Sequence, residues 1–453
     1  MARIKPHTLS GFMELLPADQ QKMERFMDTL RRSYALYGFT PLDTPIIEAA
    51  DVLLAKGGGE TEKQIYRFEK GESDLALRFD LTVPLAKYVA LHYGELTFPF
   101  RRFQIGKVYR GERAQRGRFR EFYQADIDVI GDGRLSIMNE AEIPAVIYRT
   151  FTALGLKYFR IRVNNRKVLN GFFALLGLSE RAGDVMRTID KLDKIGPDKV
   201  RGLLTDELAV PESAAGELMA FIACPGDTAD KLAFLKTYRG RDAVFDEGLS
   251  ELSTVVSFLD AFGVPRENFE VDLTIARGLD YYTGTVYETV LTDHPEIGSV
   301  CSGGRYDNLA EYYTDKTLPG VGISIGVTRL FYVLQEQKLL SDELLSAPAE
   351  AVVIPMDESC MPFAVAAATV LRERGVRTQV YFENKKFKQK IGYADKSGIP
   401  FALIVGETEA AAGVAAVKDM NTGEQESLTP EKAAEKINAA LRARRDCALI
   451  REE

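Results

Sequence analysis

Apolar residues recur with helical spacing at Met23, Phe26, Met27, Leu30, Tyr34 and Tyr37, and Gly38 follows. This spacing predicts a long amphipathic helix with a glycine stop. Phe39–Glu48 then runs extended, because Pro41 and Pro45 forbid a helix and suit an edge strand. Leu75–Leu81 alternates apolar and polar positions and leads through Asp80, Leu81 and Thr82 to a helix over Leu85–Leu91, with Pro84 just inside its start. Short apolar alternation at Phe103, Ile105 and Val108, and again at Phe122, Tyr123, Ile127 and Val129, predicts two strands joined by a long loop. A helix over Leu135–Leu154 and a strand over Tyr158–Val163 complete the first third of the chain.

From Arg166 to about Phe262 the texture becomes helical stretches broken by glycine and proline, which predicts an all-helical insertion. Strand patterns resume at Phe269–Leu273 and Thr285–Leu291, and Gly320–Gly326 leads into a helix over Val327–Leu339. Beyond Ser346-Ala347-Pro348, strands at Val352–Pro355, Thr378–Tyr381 and Phe401–Val405 alternate with helices at Pro362–Arg374 and Lys386–Lys396. Two further strands and a helix over Pro430–Arg444 close a small mixed-sheet domain. The expected fold class is α+β. A discontinuous core covers residues 1–165 and 263–340, the helical insertion 166–262, and the last domain 349–453.

A chain of 453 residues can bury two or three cores, and 46% hydrophobic with 27% charged residues is ordinary for a soluble globular protein. The net charge of −8 means that any nucleic-acid partner is met by local patches. Cys224, Cys301, Cys360 and Cys447 show no CxxC spacing, and the first residues lack the apolar core of a signal peptide, so a reduced cytoplasmic location is expected. No apolar run reaches membrane-spanning length, so no membrane partner is expected. With only His7, His92 and His294 and no HExxH, a structural zinc is not expected. GxGxxxG at Gly320–Gly326 lacks the dinucleotide fingerprint, and no GxxxxGK[ST] is present.

Within Phe98–Asp132 the charge reverses, since Arg101–Arg120 holds eight Lys or Arg against one acid, Glu112. Arg110, near the end of the first strand, presents a planar fork suited to a phosphate. On the second strand Gln124, Asp126 and Asp128 alternate on one face and aim polar groups at something specific. Asp80 and Thr82 at a strand-to-helix junction suit an ammonium group, although Thr82 as a plain helix cap is the preferred local reading. Lys56–Glu60 carries three glycines, which make either a mobile lid or an ordinary turn. Arg277 beside Asp280, Tyr281 and Tyr282 fits a cleft wall. Gly303 and Gly304 admit either close approach of a ligand or a tight hairpin. Arg329, in the first turn of an otherwise apolar helix, needs a partner or a ligand. Lys385, Lys386, Lys388 and Lys390 give the last domain a basic face, although a solvated helix end is the preferred reading of that run alone.

With these segments together, Gly11–Arg444 resembles the histidyl-tRNA synthetase family of class II aminoacyl-tRNA synthetases. The shared class marks are Pro45, the hairpin with Arg110 and Glu112, and Gly326 with Arg329. Those of the histidine family are ARGLDYYTGTVYE at Ala276–Glu288 and SGGRYDNL at Ser302–Leu309. Asp80 and Asp128 stand where many bacterial members carry Glu. The resemblance implies an antiparallel six- to seven-stranded catalytic sheet, a helical insertion, a C-terminal anticodon-binding α/β domain and a homodimer. It also implies ATP-dependent activation of L-histidine and transfer to the 3′ end of tRNA(His), with Mg2+ accompanying ATP. The alternative is a catalytically silent, synthetase-like regulatory subunit of ATP phosphoribosyltransferase.

By the same resemblance Arg110 and Arg277 act at the reacting centre. Histidine would meet Asp80, Leu81, Thr82, Arg110, Gln124, Asp128, Arg277, Tyr281, Tyr282 and Tyr306. ATP would meet Arg110, Glu112, Arg118, Phe122 and Arg329, and the tRNA acceptor end Arg113, Gln115 and Arg116.

Overall fold

A computed structural model of the chain describes residues 3–55, 60–113, 117–276, 281–341, 346–446 and 449–450. The first segments with strand pattern form β1 (Thr40–Pro41), β2 (Ile47–Ala49), β3 (Arg67–Lys70) and β4 (Ser73–Leu77). The hairpin is β5 (Phe100–Tyr109) and β6 (Glu121–Ile130). After it come β7 (Phe159–Asn165), β8 (Phe269–Val271), β9 (Thr285–Leu291), β10 (Ser299–Tyr306) and β11 (Gly320–Gly326).

The chain divides into two compact units, Met1–Met13 with Met27–Leu339, and Glu14–Phe26 with Leu340–Glu453. The first is built on an eight-stranded sheet in the order β1-β5-β6-β11-β10-β9-β7-β8. Its six central strands are antiparallel, while the short edge strands β1 and β8 pair parallel to their neighbours, so the sheet is wider than the six or seven strands expected. Phe39–Glu48 is not one edge strand, because its two ends pair in different sheets. Thr40–Pro41 lies beside β5, whereas β2 joins β4 and β3 in a separate three-stranded sheet. Pro45 lies between them and has no N–H to continue a ladder.

Each β6 residue on the apolar side, Ala125, Ile127 and Val129, is fully buried, and the opposite side carries Gln124, Asp126 and Asp128. Pairing places Gly322 opposite Asp128 and Ser324 opposite Asp126 on one neighbour, and Arg102 and Gln104 opposite the same two acids on the other. The segment around Gly303 and Gly304 is not a tight hairpin but β10, inside the sheet. A Cβ on Gly303 would sit 2.1 Å from the Gly322 carbonyl oxygen, so this glycine serves strand contact. Between β7 and β8 the helices of residues 166–262 fold onto Arg166–Leu175 and Ala243–Phe262, which meet so closely that a Cβ on Gly171 would come 2.5 Å from the Phe245 nitrogen.

The second unit holds a five-stranded mixed sheet of β12 (Ala351–Pro355), β13 (Thr378–Val380), β14 (Phe401–Val405), β15 (Ala415–Asp419) and β16 (Gln425–Leu428). Its order is β13-β12-β14-β15-β16, parallel through the first three and antiparallel after. Ala364, Leu371, Ile437 and Leu441 from the covering helices close its core with Val353, Phe401 and Leu403. Lys390 does not belong to the basic face, because it is buried and donates to the carbonyls of Pro355 at 2.7 Å and Met356 at 3.4 Å.

Gly303→Ala is expected to cost about 1–3 kcal/mol through overpacking between strands. Gly94→Ala, at an open position with nothing within 4 Å, should stay within about 0.5 kcal/mol of the parent. Thermal and denaturant melts of the two variants check the pair.

Candidate functional site

A cavity of about 420 Å³ opens on the polar face of the sheet. At one end lie Asp80, Thr82, Gln124, Asp126, Asp128, Tyr281, Tyr282 and Tyr306; at the other lie Glu112, Arg118, Phe119 and Arg329; Arg110 and Phe122 also line it. The acid end is built from three elements. β4 ends at Leu77, and Asp80 follows on the link to the helix Thr82–Leu91. Thr82 does not cap this helix. Asp80 does so from two residues upstream, its Oδ1 accepting from the backbone N–H groups of Thr82 at 3.2 Å and Val83 at 3.0 Å. Leu81 is wholly buried away from the cavity lining, and its carbonyl accepts from Arg102 Nη2 at 3.2 Å.

Arg102 is 0% exposed and reaches Asp128 Oδ2 at 2.6 Å, while the Tyr306 hydroxyl donates to Asp128 Oδ1 at 2.5 Å. The glycines of β11 make room for these groups. A Cβ on Gly320 would meet the Tyr306 ring at 2.4 Å, and one on Gly322 would meet Asp128 Oδ1 at 2.2 Å. Tyr281 stacks edge-on against both Tyr282 and Tyr306, with centroids 4.9 and 5.8 Å apart. Burial pushes the Asp128 carboxyl up to about 6 and that of Asp126 to about 7, against the opposing pull of Arg102. Asp80 is raised for the same reason, less its bond to the Val83 N–H and the nearby Arg110 charge. Burial also keeps the three tyrosine hydroxyls protonated, as donors.

Arg110, which follows β5, is held by its Nε to the Phe79 carbonyl at 3.3 Å and lies over the rings of Phe79 and Phe122, 4.3 and 5.1 Å from their centroids. Beyond it, Arg118 and Glu112 pair at 3.6 Å. Arg329 anchors to the carbonyls of Ser299, at 3.3 Å, and Ile297. Arg113 is exposed at the end of the hairpin and outside the cavity lining. Arg277, Gln115, Arg116 and the Gly57–Gly59 loop lie outside the described residues.

The basic hairpin is less of a surface patch than its charge count indicates. Arg101 pairs with Glu142 at 2.6 Å, Arg102 with Asp128, and Lys107 with Glu121 at 2.7 Å, while Arg120 donates to the Glu112 carbonyl at 3.0 Å. Four of the eight cations therefore serve the fold. Among the residues brought into the cavity without a role read from sequence are Asp126, Ser324 and Phe119. Asp126 alone had a signal, its place in the polar alternation. Among the described residues, no group of three or more His, Cys, Asp or Glu side chains is arranged to hold a metal ion.

A family model described as histidyl-tRNA synthetase matches residues 11–330, and one described as an anticodon binding domain matches residues 350–440. The histidine--tRNA ligase of Clostridium tetani is 54% identical over 437 residues, covering 96% of this chain and 99% of that protein. The histidine--tRNA ligase of Xanthomonas axonopodis pv. citri is 47% identical, covering 97% of each. The crystal structure of histidyl-tRNA synthetase from Nostoc sp. PCC 7120 superposes with a TM-score of 0.89 at 42% identity, over 97% of this chain and 100% of that one. At 20% identity, an ATP phosphoribosyltransferase regulatory subunit/histidyl-tRNA synthetase from Bacillus halodurans superposes with a TM-score of 0.73, a likeness of fold. The chain belongs to the histidyl-tRNA synthetase family.

Proposed function

We propose that this chain is a histidine--tRNA ligase that activates L-histidine with ATP at the cavity described and transfers it to the 3′ end of tRNA(His). One observation carries the site assignment. A single cavity joins an acidic, tyrosine-lined end to an arginine-bearing end, with Arg110 lying over the rings of Phe79 and Phe122. The histidine carboxylate attacks the α-phosphorus of ATP, pyrophosphate leaves, and histidyl-adenylate forms. A ribose hydroxyl at the tRNA terminus then attacks the activated carbonyl and AMP leaves. The carboxylate is already a nucleophile at neutral pH, so the protein positions reactants and offsets charge at phosphorus.

In this reading Asp80, Thr82 and Gln124 take the ammonium and carboxylate groups of histidine. Asp128, Tyr281, Tyr282 and Tyr306 take the ring. Arg110 holds the α-phosphate and the histidine carboxylate, with Arg277 approaching from the other side. Glu112 receives the adenine amino group, Phe122 stacks on the base, and Arg118 and Arg329 hold the outer phosphates of ATP, which enters with its Mg2+ as substrate. Leu81 contributes indirectly, its carbonyl tying Arg102 in place. Arg113, Gln115 and Arg116 meet the acceptor end, where phosphate attraction is salt-dependent.

In the second unit, exposed Phe382 and Phe387 beside exposed Lys385, Lys386 and Lys388 support contact with unpaired bases. Exposed Ile46, Ile47 and Phe68 on or beside the three-stranded sheet support a homodimer. A cytoplasmic location fits this work; no described helix is long and apolar enough to cross a membrane. The regulatory-subunit alternative is not favoured, since relatives at 47–54% identity over nearly the whole chain are histidine--tRNA ligases.

Pyrophosphate exchange into ATP, run across the twenty amino acids, should depend on histidine alone; absence of exchange with any amino acid sinks the reading. Arg110→Ala and Arg277→Ala should each lower histidine-dependent exchange by about 10²- to 10³-fold with circular dichroism unchanged. Exchange at the parent rate in either variant removes that residue from the reacting centre.

The raised carboxyls also set a pH dependence. Asp126 and Asp128 ionise near about 4 in the unfolded chain. Their folded values of about 7 and about 6 mean that the folded protein keeps protons the unfolded chain has lost. That contribution is complete below about pH 4 and is lost as pH rises through the folded values. The melting temperature of unliganded Asp126→Asn should therefore gain on the parent by a few degrees between pH 5 and pH 8, as read by scanning calorimetry.

A further inference from the structure

We infer that Asp126 is an additional histidine-binding residue, whose open carboxylate oxygen accepts the ring N–H of the bound amino acid. The inference rests on the histidine end assigned above. Asp126 is 2% exposed yet lines the cavity, and its Oδ1 has no hydrogen-bond partner among the described residues. A carboxylate taken out of water with an unfilled acceptor is unfavourable, and a ligand that fills it recovers the loss.

Among the described residues no neighbouring side chain donates to that oxygen. The carboxyl bonds to Ser324, which also accepts from Gln124 Nε2 at 2.8 Å. Gln104, directly across on β5, turns its amide to Asp43 at 2.9 Å and Thr44 at 3.1 Å. Arg102 is tied to Asp128 and to the Leu81 carbonyl. Asp128 has one oxygen on the Tyr306 hydroxyl, and its other, which likewise has no hydrogen bond, lies 2.6 Å from Arg102 Nη2 as an ion pair. Of the two acids side by side on β6, Asp126 thus has the oxygen with neither a hydrogen bond nor an ion pair among the described residues.

The wall at this end points to a planar ring. Tyr281, Tyr282 and Tyr306 form an aromatic box, and burial keeps their hydroxyls protonated. A neutral imidazole carries one N–H and one bare nitrogen. A carboxylate accepting from the first and a tyrosine hydroxyl donating to the second fix one tautomer and reject rings lacking either group. The ammonium group has its own acid in Asp80, on a different element.

The test is calorimetric titration of the full-length protein with L-histidine, its two ring N-methyl derivatives and ATP. For Asp126→Asn we expect the Kd for histidine to rise about 10- to 100-fold. The Kd for ATP should stay within about twofold and the melting temperature should not fall. Both ring methyls weaken binding to the parent, but the one that blocks the N–H facing Asp126 should cost nothing further in the variant, as in a double-mutant cycle. Asp126→Ser repeats the readings should Asp126→Asn fold poorly. An unchanged Kd for histidine, or full methyl penalties at both ring nitrogens in the variant, overturns the inference. If the parent binds no histidine at all, the function proposed above fails instead.

Discussion

One guanidinium wholly out of water, Arg102, sets the conditions for everything built on the cavity floor. Its 2.6 Å contact with Asp128 keeps a carboxylate where burial alone would favour the neutral acid. The same side chain ties the Leu81 carbonyl just ahead of the helix Thr82–Leu91, and Asp128 in turn orients Tyr306. Strand, helix entrance and aromatic wall are thus held to one buried charge. Removing it would leave Asp80, Asp126 and Asp128 buried without that compensation, a far larger loss than a surface pair incurs. The glycines of β11 belong to this arrangement, because any side chain at 320 or 322 would occupy the space of Tyr306 or Asp128.

Alternation made the hairpin legible, because each residue type there answers to one face of a sheet. Thr285–Leu291 also alternates, though both its faces are buried, and the bounds of Phe401–Val405 follow from a short apolar run that ends at Gly406. β10 was not legible in this way. SVCSGGRY carries no alternation, since both faces of that strand are largely covered and its glycines answer to the next strand's backbone. The two-proline stretch was read correctly as extended, but which sheet each end joins depends on partners distant in sequence.

For the site, the resemblance named residues that the fold does gather, among them Asp80, Arg110, Gln124, Asp128, Tyr306 and Arg329. Residue type alone misjudged the cations. Arg102 and Lys390 look like surface charges in a basic run, yet each side chain turns inward to carbonyl or carboxylate oxygens. The polar alternation flagged Asp126, but an open acceptor is a property of everything around the side chain, and sequence does not display that. Thr82 illustrates the reverse. It has the composition of a cap, but the carboxylate of Asp80 performs that task.

The Glu112–Arg118 contact at the far end of the cavity has a consequence for nucleotide entry. On the assignment proposed, these are the groups that receive the base and the outer phosphates, and they lie 3.6 Å from each other. Half-exposed pairs of this kind contribute at most about 1 kcal/mol, so separating them is a small barrier. Added salt screens the attraction of Arg118 for phosphate, but it also loosens the competing grip of Glu112. On that assignment, ionic strength acts on this part of the site in two opposing senses.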